Sequence, residues 1–266
     1  ARSAPQSDRV LELVSDAAFI VAQDGAACAP PRSLANPTVT EAIHLAQSTG
    51  YPLMLKRDGG AGGSGVTKCG NKTQLLAALQ AANGAGASYV LQETLPGPVY
   101  GVALSGVCGR VGGAFAFEKH ITFGAHGVAT VLKHDPRPDI LQHARGIYEQ
   151  YGLNGYCGID YIADANGEAH VLEINRCIVP KSHFAHVFGV DLTAALLCLL
   201  RNEPVPAPQT PSHDYVALFP LEWGRDPQSA FLSSAFHDVP WHDPAVLAAF
   251  ESSLDAFRDI FATVRD

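Results

Sequence analysis

The chain has 266 residues, 47% of them hydrophobic and 17% charged, with a net charge of −8 and a pI of about 5.7; that composition is ordinary for a soluble protein and the length allows two lobes. An acidic chain without a basic cluster argues against nucleic acid as a partner, and no apolar run reaches the ~20 residues of a membrane span. Six scattered cysteines with no CxxC pair read as reduced thiols of a cytoplasmic protein, no secretory leader is recognisable, and the one methionine is Met54, so the sequence reads as a fragment or a processed product.

In chain order, residues 1–6 read as frayed, and Asp8 to Gln23 reads as a helix that Gly25 can end. Asn36-Pro37 opens a second helix, with Asn as cap and Pro first, which stops at Gly50. Tyr51 to Lys56 is a short apolar strand ending in a lysine. The loop RDGGAGGSG follows, then a strand over Val66–Cys69, a helix capped by Asn71 with Gln74 at the capping-box position, and a strand over Ser88–Gln92. Leu95-Pro96-Gly97-Pro98 is the expected lobe boundary. Beyond it, strands are expected over Val99–Val107, Arg110–Phe117 and Val128–Lys133, then a helix over Pro136–Tyr151 capped by Asp135. After a hairpin come an apolar helix over Asp191–Arg201, a proline-rich linker over Pro204–Ser212, a strand at YVALF, and a last helix from Asp243-Pro244 to about Val264.

The hairpin lies in GYCGIDYIADANGEAHVLEINRCIVP, residues Gly155 to Pro180. Asn166-Gly167 suits a type I′ turn, which needs positive φ at both central residues. With those two as the loop, Asp160 falls opposite Glu173 and Asn175 opposite Gly158. The three polar side chains then share one face, while Ile159, Tyr161, Leu172 and Ile174 share the core face. Two carboxylates at a Cβ separation of about 4.5–5.5 Å repel, and a divalent cation bound by oxygen ligands offsets that cost. The alternative is a solvated polar sheet face. Lys56 at a strand end before Gly59, Gly60, Gly62, Gly63 and Gly65 fits a phosphate cradle, in which close-approaching backbone N–H groups and a lysine meet phosphate oxygens; the alternative is a flexible hairpin turn. The segment is neither a Walker A loop nor the dinucleotide fingerprint.

A lysine-ended strand with a glycine lid, then an apolar hinge, then an Asp…Glu-x-Asn hairpin, in that order, resemble the ATP-grasp superfamily. The motifs are YPLMLKRDGGAGGSGV, VLQETLPG and GIDYIADANGEAHVLEIN, spanning about residues 51–180. The resemblance implies an α+β fold in which two lobes clasp ATP: an N-terminal helical segment over 1–50, a small lid lobe over 51–95, a large lobe with the metal site over 96–203, and a linker with a C-terminal extension over 204–266. The full N-terminal domain that most members carry is expected to be missing or to lie outside the chain. ATP and Mg²⁺ (or Mn²⁺) are the implied cofactors. Lys56 would contact the nucleotide phosphates under a lid that includes Gly62, Gly63, Ser64 and Gly65. Gln92, Glu93, Thr94 and Leu95 match the hinge, where the backbone of Glu93 and Leu95 meets adenine. Asp160, Glu173 and Asn175 match the metal ligands, and Lys119 and Arg176 join Lys56 as catalytic cations. Two positions depart from the pattern: Val99 stands where members often have a ribose-binding acid, and Arg176 comes one place earlier than the usual arginine.

The implied activity is a ligase that activates a small carboxylate as an acyl phosphate for attack by an amine or thiol. The implied partners are those small molecules, with a homodimer or a partner domain, and neither nucleic acid nor membrane. The alternatives are a phosphotransferase, or a non-catalytic nucleotide-binding module that needs a missing domain. His183 and His186 are read as substrate contacts or as structural residues. In the tail, Glu222 to Asp226 and His237 to Asp243 are read either as metal- or substrate-binding clusters or, preferentially, as structural, with Asp226-Pro227 and Asp243-Pro244 expected to start helices and Trp223 and Trp241 to anchor packing.

Overall fold

The computed structural model describes residues 27–58, 65–86, 88–124 and 127–250. The helix expected over Asp8–Gln23, Gly59–Ser64 of the glycine loop and the end of the terminal helix lie outside the described residues. The architecture is α+β, as expected.

The smaller of two sheets is antiparallel, in the order β1-β4-β2-β3, with β1 (Ser33–Ala35), β2 (Leu53–Arg57), β3 (Val66–Cys69) and β4 (Tyr89–Glu93). Helices α1 (Val39–Thr49) and α2 (Lys72–Gly84) cover one face and bury Leu53, Leu55, Leu75, Leu79 and Leu91. Alternation along β2 therefore turns Met54 and Lys56 to the face away from the helices.

Asn36 is not the cap of α1. Thr38 is, because a Thr38–Glu41 capping box satisfies two backbone donors at once. Asn36 instead takes a left-handed φ of 46° and accepts the Tyr89 N–H, tying the helix entrance to β4. Asp135 likewise does not cap α3 (Pro138–Gln150): the helix follows Arg137, which makes no capping hydrogen bond but pairs with Asp139 and lies 4.7 Å from the Tyr100 ring centroid.

The larger sheet runs β11-β10-β7-β6-β5-β8-β9, with β5 (Val99–Val107), β6 (Arg110–Thr122), β7 (Ala129–His134), β8 (Gly155–Ala163), β9 (Ala169–Asn175), β10 (Tyr215–Ala217) and β11 (Phe236–His237). Helix α3 buries Ile140, Ala144, Ile147 and Tyr148 on one face with Ile159, Tyr161 and Val171. The other face holds Phe115, Phe117 and Leu132 beneath a 3₁₀ turn (Pro180–Phe184) and α4 (Leu192–Arg201). After residue 204, β10 pairs with β7 and lengthens this sheet. It also carries the short helices α5 (Leu221–Arg225) and α6 (Phe231–Ser234).

One stretch near residue 30 crosses between the sheets. The Val171 N–H donates to the Cys28 carbonyl at 3.1 Å, at the outer edge of β9. A few residues on, the Glu93 N–H donates to the Arg32 carbonyl at 2.9 Å and the Arg32 N–H donates to the Glu93 carboxylate at 2.9 Å.

Candidate active site

The β8–β9 hairpin places Asp160 opposite Glu173 and Gly158 opposite Asn175. The expected register holds at these positions, but the turn differs. Asp164 accepts the N–H groups of Asn166 and Glu168 on its side chain and that of Gly167 on its carbonyl, and Gly167 alone takes positive φ, at 83°. This is a type I turn followed by a left-handed glycine, which adds a loop residue relative to a type I′ turn. A bulge then leaves Leu172 without a partner and restores the register at the site. Leu172 is therefore half-buried, and Val171 takes the core position opposite Tyr161.

Lys119 reaches the pair from β6. Its Nζ lies 2.5 Å from Asp160 Oδ2, with the two side chains 15% and 19% exposed. The lysine spans the intervening strand over Gly101, which lies opposite Asp160 and Phe117. A Cβ at Gly101 would lie 2.3 Å from Phe117 Cζ. Gly101→Ala is therefore expected to cost about 1–3 kcal/mol by overpacking, read as a lower urea midpoint with an unchanged slope; an unaltered midpoint would show that the ring has room to yield.

The electrostatics are lopsided. Burial opposes ionisation of Asp160, but Lys119 and Lys181 outweigh it and hold this carboxyl below its usual range. Burial and the neighbouring Asp160 push the Glu173 carboxyl up, against Lys119, the Asn175 side chain and Lys56. Asn175 Nδ2 donates to Glu173 Oε1 at 3.2 Å. Among the described residues no three His, Cys, Asp or Glu side chains form a metal cluster. The donor set is two carboxylates and an amide, which suits a hard divalent cation that takes its remaining oxygens from phosphate and water. The crowding that raises the Glu173 carboxyl is what such a cation relieves.

The other sequence-derived candidates are spread around this centre. Lys56 is half-buried on β2, and its charge acts on Glu173. Of the lid, Gly65 is described; its carbonyl accepts the Arg57 N–H, while Gly62, Gly63 and Ser64 lie outside the described residues. Gln92 is buried and donates to Ser33 Oγ, Glu93 is held by the crossing segment, and the neighbouring Thr94 Oγ1 is buried without a partner among the described residues. Leu95 is half-buried, just past the end of β4. Arg176 is exposed and its charge acts on Cys157.

Sequence reasoning missed Lys181, on the 3₁₀ turn, whose charge acts on both acids. Gly158 within a strand was the available signal, because an interior strand glycine often marks close backbone approach. Val179 sits on it, so close that a Cβ would meet Val179 Cγ1 at 2.6 Å.

His183 turns toward the C-terminal segment. Its Nδ1 lies 2.6 Å from the Pro180 carbonyl and its Nε2 3.2 Å from Asp238 Oδ2, while Asp238 Oδ1 accepts the Phe219 N–H. With acceptors at both nitrogens the imidazolium is favoured, and Asp238, followed by Pro180, raises its pKa above 6.5 against burial. A raised pKa stabilises the fold fully below about 6.5, and that contribution fades as pH rises through the folded value. The urea midpoint of the unsubstituted chain should therefore fall between pH 6 and pH 8 by more than that of His183→Gln; parallel profiles would deny the contact any energetic role. His186 Nδ1 lies 2.8 Å from the His183 carbonyl.

Farther along, buried Glu222 holds Arg225 through two hydrogen bonds, and Trp223 neighbours Phe219. Trp241 is 75% exposed in a turn and anchors nothing among the described residues. Asp226-Pro227 forms a turn after α5 rather than starting a helix, whereas Asp243 accepts the Val246 N–H at the head of the helical stretch 244–250.

A family profile described as the ATP-grasp domain matches residues 30–179. D-alanine–D-alanine ligase of Actinobacillus pleuropneumoniae serotype 5b is 26% identical over 144 residues, which is 50% of this chain and 47% of the ligase. The vancomycin C-type resistance protein VanC1 of Enterococcus gallinarum is 27% identical over 144 residues, 48% of this chain and 41% of that protein. The chain thus spans less than half the length of these curated relatives in the matched region. Among solved structures, the biotin carboxylase domain dimer of Hydrogenobacter thermophilus 2-oxoglutarate carboxylase, in complex with MgADP, ADP and bicarbonate, superposes with a TM-score of 0.60 at 20% identity, covering 78% of this chain and 50% of that one. At that identity the likeness is one of fold.

Proposed function

The chain belongs to the ATP-grasp family, and from that premise we propose that it is an ATP- and Mg²⁺-dependent ligase joining a small carboxylate to an amine or thiol. The observation that carries the reading is the pair of opposed acids, Asp160 and Glu173, with Lys119 bridging to one of them and Lys56 acting on the other across the two sheets. The nucleotide cleft lies between a small lobe over 51–95 and a large lobe over 96–203. Asp160, Glu173 and Asn175 hold Mg²⁺ (or Mn²⁺), which when bound neutralises phosphate charge. The backbone of Glu93 and Leu95 meets the adenine, with the Thr94 hydroxyl, unpaired among the described residues, beside it.

The carboxylate oxygen of the acyl substrate attacks the terminal phosphorus, ADP leaves, and the acyl phosphate is opened by the amine or thiol with release of inorganic phosphate. Positioning and charge neutralisation by Lys56 and Lys119 carry such a reaction, and no protein nucleophile is needed.

Thermal unfolding with Mg·ATP, and with Mg·GTP as control, tests the cleft first. Nucleotide at about 100 times its Kd should stabilise the fold by about 2.7 kcal/mol. A Mg²⁺-dependent shift specific to ATP leads to a screen of carboxylates with amines and thiols for ADP release. ADP released with a carboxylate alone, as phosphorylated product, would favour a phosphotransferase instead. No shift in a folded sample overturns the reading.

A further inference from the structure

Lys181 acts on the two acids without an ion pair to either among the described residues. Its ammonium has no hydrogen-bond or ion-pair partner among the described residues, although the side chain is half-buried. Its place is set by packing just ahead of it: the Val179 side chain sits on the bare surface of Gly158, two residues along β8 from Asp160, and Pro180 starts the 3₁₀ turn that carries Lys181. Lys119, by contrast, is already engaged with Asp160.

The charge count says what the free lysine is for. Asp160 and Glu173 oppose Lys119 and Lys181, and each lysine acts on both acids. Binding one divalent cation to the acids leaves an excess of two positive charges. A carboxylate substrate matches one of them; the terminal phosphoryl group of a nucleoside triphosphate matches both, and its three free oxygens can be shared by two ammonium groups and a metal. Resting on the function proposed above, we infer that Lys181 is the residue that grips the terminal phosphate of ATP, so that it distinguishes triphosphate from diphosphate, while Lys56 serves the phosphates common to both.

Calorimetric titration of the whole chain with Mg·ATP and with Mg·ADP tests this. Lys181→Gln should weaken Mg·ATP binding about tenfold or more, the size of one charge-assisted hydrogen bond, and leave Mg·ADP within twofold. Lys181→Arg should keep most of the preference, and Lys56→Gln should weaken both nucleotides. Equal loss of Mg·ATP and Mg·ADP in Lys181→Gln would overturn the inference by making the lysine a general or structural cation, and so would no loss of either. In both cases normal binding by the unsubstituted chain would leave the proposed function standing. Failure of the unsubstituted chain to bind either nucleotide would overturn both.

Discussion

Glu173→Gln is expected to abolish Mg²⁺-dependent ATP binding and to leave a protein at least as stable as its parent. The two halves of this result have one cause. Burial and the facing Asp160 push the Glu173 carboxyl above its usual 4.5. A raised acid stabilises the fold when protonated and loses that contribution as pH rises through the folded value. Once ionised, the side chain is therefore a strain on the free protein. The amide keeps the shape, removes the repulsion and retains a carbonyl oxygen, but it deletes one of the two carboxylates proposed to hold the ion. A hard cation that prefers charged oxygen donors is then held weakly. Turnover should fall roughly 10²–10³-fold or more, the scale of losing one electrostatic element in an active site, while the denaturant midpoint at pH 7–8 stays level or rises. A substantially lower midpoint would mean that Glu173 is a structural acid; unchanged Mg·ATP affinity would mean that the metal lies elsewhere.

Lys119→Met should do the opposite to stability. It leaves Asp160, with only 19% of its side chain exposed, without its contact cation. Removing one member of a largely buried pair costs about 3–5 kcal/mol, and the residual exposure of both side chains brings the expectation to about 2–3 kcal/mol. Because the Asp160 carboxyl is held low, this loss is full above its usual 3.8 and vanishes in acid, where the carboxyl is protonated in both states. The informative measurement is rescue by Mg²⁺. On the proposed site, an ion approaching Asp160 in the unsubstituted chain competes with Lys119, and in the variant it meets no such competitor. Millimolar Mg²⁺ alone should therefore raise the melting temperature of Lys119→Met more than that of its parent. Equal responses would show that the lysine and the ion do not compete.

The site could be read from sequence where a local rule applied, and it escaped where tertiary contact decided. Asp160 opposite Glu173 followed from a turn signal and strand alternation, yet the register came out right through two offset changes. The Asp164 turn adds a residue and the Leu172 bulge compensates for it. The cost of the simpler turn was paid at Leu172, expected in the core and found half-buried. Asn36 and Asp135 look like helix caps from composition, but a two-way capping box at Thr38 and the Arg137–Asp139 pair set those helix starts. Lys181 escaped notice because it lies six residues past Asn175 in a stretch without periodicity. Only the seating of Val179 on Gly158 turns it toward the acids. Ser33–Ala35 escaped as well: three residues become a strand because β4 offers them an edge.

The segment around residue 30 has a mechanical consequence. The chain passes from the small sheet to the large one through residues 94–98, and the segment from Cys28 to Arg32 grips β9 at one end and Glu93 at the other. The small sheet is thereby joined to the large one by two crossings of the chain rather than one, and parting the sheets on this side means breaking the Cys28 bond to β9 or the Arg32 bonds to Glu93. Val90 of the small sheet also shares a core with Cys28 and Tyr100. The footing that holds Lys56 where its charge acts on Glu173 is thus fastened covalently, by hydrogen bonds and by apolar packing.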